Sequence, residues 1–552
     1  MSLQLTLLPE LAPEHPKDRG AFFTPRPMAD YMVSWAIREA GDRVLEPSCG
    51  EAVFLQSAVN RLQELGAQLN NESQLIGLDI HTESIELAKQ ELQRLGADAE
   101  LLVGDFFDFH PSARFDAVIG NPPYVRYQKF SGEARRKALE VSLAHGVRLP
   151  GLASSWAAFV VHAASCLKPA GRMALVLPGE LLSVNYAAPV RRFLMQRFAE
   201  VRLVVFEERV FPGVLEEVVL VLAEGQGPTD VCSLYQAQNL DGLESLNHRT
   251  WSPKNSGAKW VAGLLPTAAA DLYAQSLEGT AFNELLQWGE TTLGMVTGNN
   301  KFFTLGRAKV ESLRLEESEL RAISPPGSKH LRGLSFSTSD WDRLLEAGKS
   351  CYLFDPDPTA PSEAAQTHIQ DGERQAVHTA YKCRVRKPWW VVPKVSVPDL
   401  LLTYMNHDTP RLVSNSARCL FLNSVHGVYL RNGLRKLGSS VLPVASLNSL
   451  TLLGAELVGR SYGGGMLKLE PKEADKLPVP APECLEALAS ELRDLKPSVA
   501  QCLEAGDLDA AVKLVDQLLL HDQLGLSNGA IQRLSEARQR LFQRRVTRGR
   551  GA

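Results

Sequence analysis

Short apolar runs recur through the first 225 residues, each closed by an acid, a glycine or a proline. Val44-Leu45 leads into Glu46, and Leu75-Ile76-Gly77-Leu78 leads into Asp79. Leu101-Leu102-Val103-Gly104 leads into Asp105, and Phe115-Asp116-Ala117-Val118-Ile119-Gly120 leads into Asn121. Runs this short, bounded by turn residues, predict buried strands. Between the first two, Ala52 to Leu65 has apolar residues at helical spacing. Further on, Met173-Ala174-Leu175-Val176-Leu177-Pro178, Val201 to Phe206 and Val218 to Leu222 predict three more strands. Ser154 or Ser155 is the expected N-cap of a helix that passes through Trp156-Ala157-Ala158-Phe159-Val160-Val161 to Leu167 and ends near Pro169-Ala170-Gly171. Strands alternating with helices predict an α/β fold built on a doubly wound, mostly parallel, Rossmann-like sheet.

The rhythm then changes. Gly225-Gln226-Gly227-Pro228 and Pro253-Lys254-Asn255-Ser256-Gly257 interrupt it, and a boundary is expected between 265 and 285. Residues 285 to 480 predict a mixed α+β domain of short strands and turns, with Gly463-Gly464-Gly465 as a flexible or close-approach loop. From 484 to 552 the apolar spacing from Leu485 to Leu541 predicts a helical segment with an Arg-rich tail. Three regions follow: 1–265, 285–480 and 484–552.

Composition narrows the class. The chain has 552 residues, more than one compact core holds. At 45% hydrophobic and 22% charged it reads as an ordinary globular protein. Its formal charge is only -4, so a nucleic-acid binder of this composition must cluster its basic residues. Two such clusters exist. Arg126, Lys129, Arg135, Arg136 and Lys137 follow Tyr124 closely. Residues 381 to 420 hold seven Lys or Arg against two acids, with Arg384, Arg386, Lys387 and Lys394 around the Trp389-Trp390 pair. Basic side chains interleaved with aromatics suit a nucleic-acid face. The eight cysteines are scattered, without C-x-x-C or zinc spacing, and read as free thiols of a reducing cytoplasm. No apolar run approaches ~18 residues, so neither secretion nor membrane insertion is expected.

The sharpest chemical signal is Asn121-Pro122-Pro123-Tyr124. A Pro-Pro pair cannot continue a central strand, so the chain must leave the sheet in a stiff extended turn. The turn gathers an amide, a backbone carbonyl and an aromatic ring at a strand's carboxyl end, where open α/β sheets bind ligands. The amide oxygen and carbonyl can accept hydrogen bonds from an exocyclic amino group while the ring stacks on a flipped adenine or cytosine. Upstream, Glu46-Pro47-Ser48-Cys49-Gly50 reads as a loop between a strand and a helix N-terminus, the arrangement of a cofactor cradle. There is no GxGxxG, so a dinucleotide fingerprint is absent. Asp79 is placed to accept from ribose hydroxyls, with Ile80 beside it, and Asp105-Phe106 offers an acid and a ring to a purine. Structural readings stand beside these: Glu46 as a helix cap, Asp105 as a turn residue, and Phe106 and Phe211 as core aromatics.

Taken in order, these motifs resemble the S-adenosylmethionine-dependent DNA amino-methyltransferases, specifically the gamma-ordered adenine-N6 enzymes of restriction-modification systems. The resemblance covers roughly residues 18 to 225. Gly20-Ala21-Phe22-Phe23-Thr24-Pro25 resembles the family's leading motif, so Phe23, Thr24 and Pro25 are expected at the methionyl end of the cofactor. Glu46 to Gly50 is similar to the motif under the methionine moiety, Asp79 to the ribose-binding acid, and Asp105-Phe106 to the adenine-binding pair. Asn121, Pro122, Pro123 and Tyr124 match the catalytic motif, with Asn121 bordering cofactor and base alike. Phe211, within Arg209-Val210-Phe211-Pro212, resembles the second aromatic of the base sandwich. Thr297-Gly298-Asn299-Asn300-Lys301-Phe302-Phe303 resembles the opening of the group's target-recognition domain.

The resemblance implies methyl transfer to adenine N6 in double-stranded DNA, with Arg126, Lys129, Arg384, Arg386, Lys387 and Lys394 as DNA contacts. Cytosine-N4 methylation shares the geometry, although that class more often has Ser at the place of Asn121. RNA or protein-glutamine methylation and a non-catalytic DNA-specificity subunit are the other readings. No nuclease carboxylate–lysine cluster is evident, so cleavage is expected of a separate cognate endonuclease. One catalytic and one recognition domain are expected to suffice in a monomer.

Overall fold

The computed structural model describes residues 24–549, apart from 71–72, 212–216, 245 and 254. The chain forms two compact units, one built on the residues up to Leu265 and grouped with Gly463–Gly465 and the residues from Val546, the other on Pro266–Tyr462 and Met466–Arg545.

The first unit is organised by a nine-stranded sheet: β1 (Val44–Glu46), β2 (Leu75–Asp79), β3 (Glu100–Val103), β4 (Phe115–Gly120), β5 (Leu167–Pro178), β6 (Glu200–Phe206), β7 (Val218–Glu224), β8 (Cys232–Ala237) and β9 (Asn247–Trp251). Their order is β3-β2-β1-β4-β5-β7-β6-β8-β9. Strands β1 to β5 pair in parallel. β7 is inserted antiparallel between β5 and β6. The predicted doubly wound, mostly parallel sheet is therefore present. Its apolar runs sit where both faces are covered: β1 is wholly buried, and so are Met173 to Leu177 of β5.

Helices supply that cover. α1 (Arg26–Ala36) buries Met28, Ala29, Met32, Val33 and Ala36, a single stripe at helical spacing. α2 (Val53–Glu64) buries Phe54, Leu55, Ala58, Val59 and Leu62 in the same way. α3 (Thr82–Arg94), α4 (Gly132–Ala144), α5 (Ser155–Ser165) and α6 (Ala188–Arg197) complete the set used below. The strand order reverses between β1 and β4, so the carboxyl ends of these two strands flank a switch point, where α/β sheets bind ligands.

The segment 225–265, where the strand–helix rhythm fades, adds β8 and β9 to the edge of the sheet. The β8 pattern of burial is broken and β9 reads Asn-His-Arg-Thr-Trp, so neither produces an apolar run. The helix that starts at Ser155 stops earlier than predicted, at Ser165, because β5 already pairs with β4 at Leu167.

In the second unit, Gly289–Leu293, Val425–Leu430, Leu400–Thr403 and Leu412–Ser414 form an antiparallel four-stranded sheet in that order. Two three-stranded sheets accompany it, and Gly463–Gly465 is the turn between Arg460–Tyr462 and Met466–Lys468. The helical end does not stand apart as a third body. The helices α7 (Ser449–Val458), α8 (Leu508–Asp516) and α9 (Asn528–Gly549) are tied within this unit by buried polar groups. Asp516 accepts from the Ser449 amide at 2.8 Å and from its hydroxyl at 2.6 Å. Arg545 and Glu456 form an ion pair at 2.8 Å with both side chains almost fully buried. Among the described residues, no single helix is long and apolar enough to cross a membrane.

Candidate functional site

The loop between β1 and α2 lies at the switch point. Glu46 ends β1 with its side chain buried, and its Oε2 accepts from the Leu55 N–H at 3.1 Å, in the first turn of α2. The helix-cap reading is thus realised. Burial pushes the Glu46 carboxyl well above its ordinary range, opposed by the Leu55 bond and reinforced by Asp79. Among the described residues no Lys or Arg pairs with it. A ligand bringing positive charge to this loop would supply the missing partner. Pro47 is buried, Ser48 half-buried, and the Cys49 thiol is held neutral by burial. Gly50 at φ +49° and Ala52 at φ +64° are left-handed. The second costs a non-glycine residue about 1 kcal/mol or more, a strain that clusters at functional loops.

Asp79 closes the loop from the next strand. Its Oδ2 accepts from Gly50 N–H and its Oδ1 from His81 N–H, both at 2.9 Å. Ile80, the next residue, is 63% exposed. At the tip of β3, Asp105 accepts from the Phe107 N–H at 3.0 Å and caps a single helical turn. Burial raises its pKa. Phe106 is buried as a core ring, with centroids 4.4 Å from His162 and 5.0 Å from Phe159. Burial lowers the pKa of His162 to about 4.

The Asn121–Tyr124 turn leaves β4 as predicted. Asn121 Nδ2 donates to Thr24 Oγ1 at 3.2 Å. The Tyr124 hydroxyl lies 2.9 Å from both Asn121 Oδ1 and the Val176 carbonyl of β5. Thr24 is buried, and the Pro25 carbonyl accepts from Met28 and Ala29 at the start of α1. Phe23, with the rest of the leading motif before it, lies outside the described residues, as does Pro212. Phe211 is buried in the apolar cluster on which Tyr124 also packs.

A residue that sequence reasoning saw only as a cap holds this turn. The Ser155 hydroxyl accepts from the Val125 N–H at 2.9 Å and donates to the Pro123 carbonyl. The Ser155 N–H in turn donates to the Val125 carbonyl at 3.0 Å. Neither Ser154 nor Ser155 makes the predicted side-chain cap. Next to them, the Tyr186 hydroxyl donates to Glu180 and lies 3.2 Å from the Ser154 hydroxyl, and Trp156 Nε1 donates to Tyr186 at 3.1 Å.

The basic residues divide. Arg126 and Lys129 are exposed just past the turn. Arg136 is engaged by Glu133 and by Glu140 at 2.6 Å, and Lys137 by Asp108, so part of this predicted basic stretch is neutralised on its own surface. In the second unit Arg384 and Lys387 are exposed. Arg386 instead donates to the Thr297 carbonyl at 2.8 Å and to that of Val296, and Lys394 pairs with Asp355 at 2.9 Å. Trp389 packs against Phe302 at 5.4 Å, which makes it a core contact.

A parallel 3-2-1-4-5 sheet with β7 inserted antiparallel, acids at three strand tips and Asn-Pro-Pro-Tyr at the fourth define a Rossmann-like methyltransferase. The family model described as N-6 DNA Methylase matches residues 6–258, and that of the Type II methyltransferase M.Eco57I C-terminal domain matches 257–520. Residues 6–258 thus carry an N-6 DNA methylase domain, and the chain is a DNA methyltransferase of a restriction-modification system. It is similar to the Type II methyltransferase M.AccI of Acinetobacter calcoaceticus, at 23% identity over 84% of this chain and 85% of the relative. It is also similar to M.XamI of Xanthomonas campestris pv. amaranthicola, at 25% identity over 85% and 86%. Among solved structures, the Type IIL restriction-modification enzyme MmeI in complex with DNA shares the fold, with TM-score 0.51 and 12% identity over 94% of this chain and 75% of that one.

Proposed function

We propose that this chain transfers a methyl group from S-adenosylmethionine to the N6 amino group of an adenine flipped out of duplex DNA. The observation that carries this reading is the orientation of Asn121 at the end of β4, with its amide nitrogen on Thr24 and its oxygen on Tyr124. The loop chemistry fits the cofactor. Glu46, a buried acid with no cation paired to it among the described residues, would face the positively charged methionyl group, Ile80 would offer an apolar face to the cofactor's adenine, and Asp79 would border its ribose. Thr24, Pro25, Pro47 to Gly50, Asp105 and Phe106 line the remaining positions of this reading. When bound, S-adenosylmethionine supplies an electrophilic methyl group on a sulfonium.

The chain's own residues then act by alignment. Flipping the base costs a few kcal/mol, offset by stacking on Tyr124, worth roughly 1–3 kcal/mol, and on Phe211. Asn121 Oδ1 and the Pro122 carbonyl accept the two N6 hydrogens, which turns the nitrogen lone pair out of the ring plane and toward the methyl. As the N–C bond forms, the methyl's bond to sulfur would break with its electron pair returning to sulfur to leave a neutral thioether, and the amino proton, now acidic, passes to water, so no strong base is required. Catalysis on this reading is positioning and fixed dipoles. A separate cognate endonuclease, a cytoplasmic location and a monomeric state complete the proposal.

The decisive experiment is single-molecule sequencing of DNA from a methylation-free host expressing the protein or Asn121→Ala. N6-methyladenine in one discrete motif, only with the wild type, is expected. N4-methylcytosine would move the target base, and methylation by Asn121→Ala would remove Asn121 from its role. In calorimetry Asn121→Ala should bind S-adenosylmethionine normally, while Asp79→Ala should weaken it.

A further inference from the structure

The second unit exposes apolar side chains among unpaired cations at one place. Tyr381 is 63% and Val385 61% exposed, the highest of the exposed large apolar residues described in that unit. Tyr381 opens and Val385 caps the short helix Tyr381–Arg384, which carries Lys382 and Arg384 and is followed by Lys387, all exposed. The Lys382 ammonium lies 5.6 Å and the Arg384 guanidinium 5.5 Å from the Tyr381 ring centroid. Among the described residues, no acid pairs with any of these three cations, whereas Arg321, Arg332, Lys394 and Arg411 of the same unit are all ion-paired.

The knuckle has a firm base. Cys383 is fully buried, with Sγ 3.7 Å from the Thr297 carbonyl. Arg386 binds the Val296 and Thr297 carbonyls from the other side. Gly298, at φ +90°, lets the turn approach so closely that a Cβ there would lie 2.9 Å from Cys383 Sγ and 3.1 Å from Lys382 Cβ. The buried residues of this segment thus hold its exposed ones in place, and Arg386 belongs to the base of the knuckle.

Three exposed cations with no acid paired to them among the described residues call for a polyanion, and the exposed ring and Val among them call for something flat and apolar between the charges. Duplex DNA offers both. We propose that Tyr381–Lys387 is a DNA-docking knuckle, with Lys382, Arg384 and Lys387 on phosphates and Tyr381 and Val385 against sugars and base edges in a groove. This deepens the DNA-methyltransferase reading and rests on it. It also replaces Arg386 and Lys394 as direct contacts with Tyr381, Lys382 and Val385.

The test is fluorescence anisotropy of a labelled 30-base-pair duplex with the full chain across a salt series. Losing three phosphate contacts should lower the salt slope of K382A/R384A/K387A by about 2.7, and affinity near 0.15 M salt by at least about tenfold. Tyr381→Ala should weaken binding at an unchanged slope, and Tyr381→Phe should behave as wild type. An unchanged slope and affinity in the triple variant overturns the proposal, and wild-type binding by Tyr381→Ala removes the ring from it. Methylation by the wild type is followed in parallel. If the wild type neither binds nor methylates DNA, the functional reading fails first; if it does both and the triple variant matches it, only the knuckle fails.

Discussion

At the scale of single residues, Tyr124 has two duties that conflict. Its one hydroxyl proton faces both Asn121 Oδ1 and the Val176 carbonyl. While it donates to Asn121, it occupies the oxygen that the incoming amino group needs. Binding of the base therefore has to displace that proton toward Val176, and the exchange costs about one hydrogen bond, roughly 0.5–1.5 kcal/mol. Tyr124→Phe keeps the ring and removes the competitor. Its KM for DNA is expected to fall by a factor of roughly 2–10 with turnover near wild type. Tyr124→Ala should lose the stacking itself, roughly 1–3 kcal/mol. Flipping of 2-aminopurine, read by its fluorescence, separates the two. Equal losses in both variants would show that the hydroxyl matters and the competition does not exist. Glu46 makes a related point: the carboxyl that caps α2 through Leu55 is also the one proposed to face the cofactor, so the two readings are compatible.

At the scale of elements, the Asn121–Tyr124 turn, catalytic in the proposed function, is held by the start of α5. Two prolines make Pro122-Pro123 stiff, but stiffness does not fix where the turn points. Ser155 does so through three hydrogen bonds to Pro123 and Val125, and it leaves the Pro122 carbonyl outside the clamp. Ser155→Ala is expected to lower turnover by roughly 10- to 100-fold, since a misplacement of about 1 Å costs that much. Cofactor affinity should stay near wild type, and Ser155→Thr should restore most of the rate because it keeps the hydroxyl. Equal loss of cofactor affinity and turnover, without rescue, would mean that Ser155 only supports the fold. The strands and their terminal acids were legible because β1, β2, β4 and β5 are buried on both faces and must read as apolar runs. The clamp was not, because a serine beside a helix start reads as a cap, and only the tertiary path brings Pro123 to it. The same limit hid β8 and β9, whose pairing rather than apolarity makes them strands. It also hid the fate of Arg136, Arg386 and Lys394, whose charge was plain in the sequence and whose partners were not.

At the scale of the whole molecule, the helical end belongs to the second unit because buried polar groups join it there, and one of them makes stability depend on pH. Asp516 sits at the N-terminus of α7, accepting from the Ser449 amide and hydroxyl. The helix dipole and these donors favour its charge, yet burial outweighs them and raises its pKa from 3.8 to about 6. Between those values the folded chain keeps a proton that the unfolded chain has lost. Stability must then fall as pH rises through this window, and the cost is complete above about pH 6. At about 1.4 kcal/mol per tenfold change in acidity it amounts to roughly 3 kcal/mol. Asp516→Asn cannot ionise, and its amide oxygen still accepts from Ser449. Relative to wild type, the variant should therefore gain roughly 2–2.5 kcal/mol in denaturant unfolding as pH rises from 4 to 7, the rest of the difference lying below pH 4. Taking the difference removes the contribution of buried histidines such as His330, held near 4, which run the other way. A difference that stays flat from pH 4 to 7 would show that Asp516 is ionised in the fold throughout, with the dipole of α7 and the two Ser449 donors prevailing over burial.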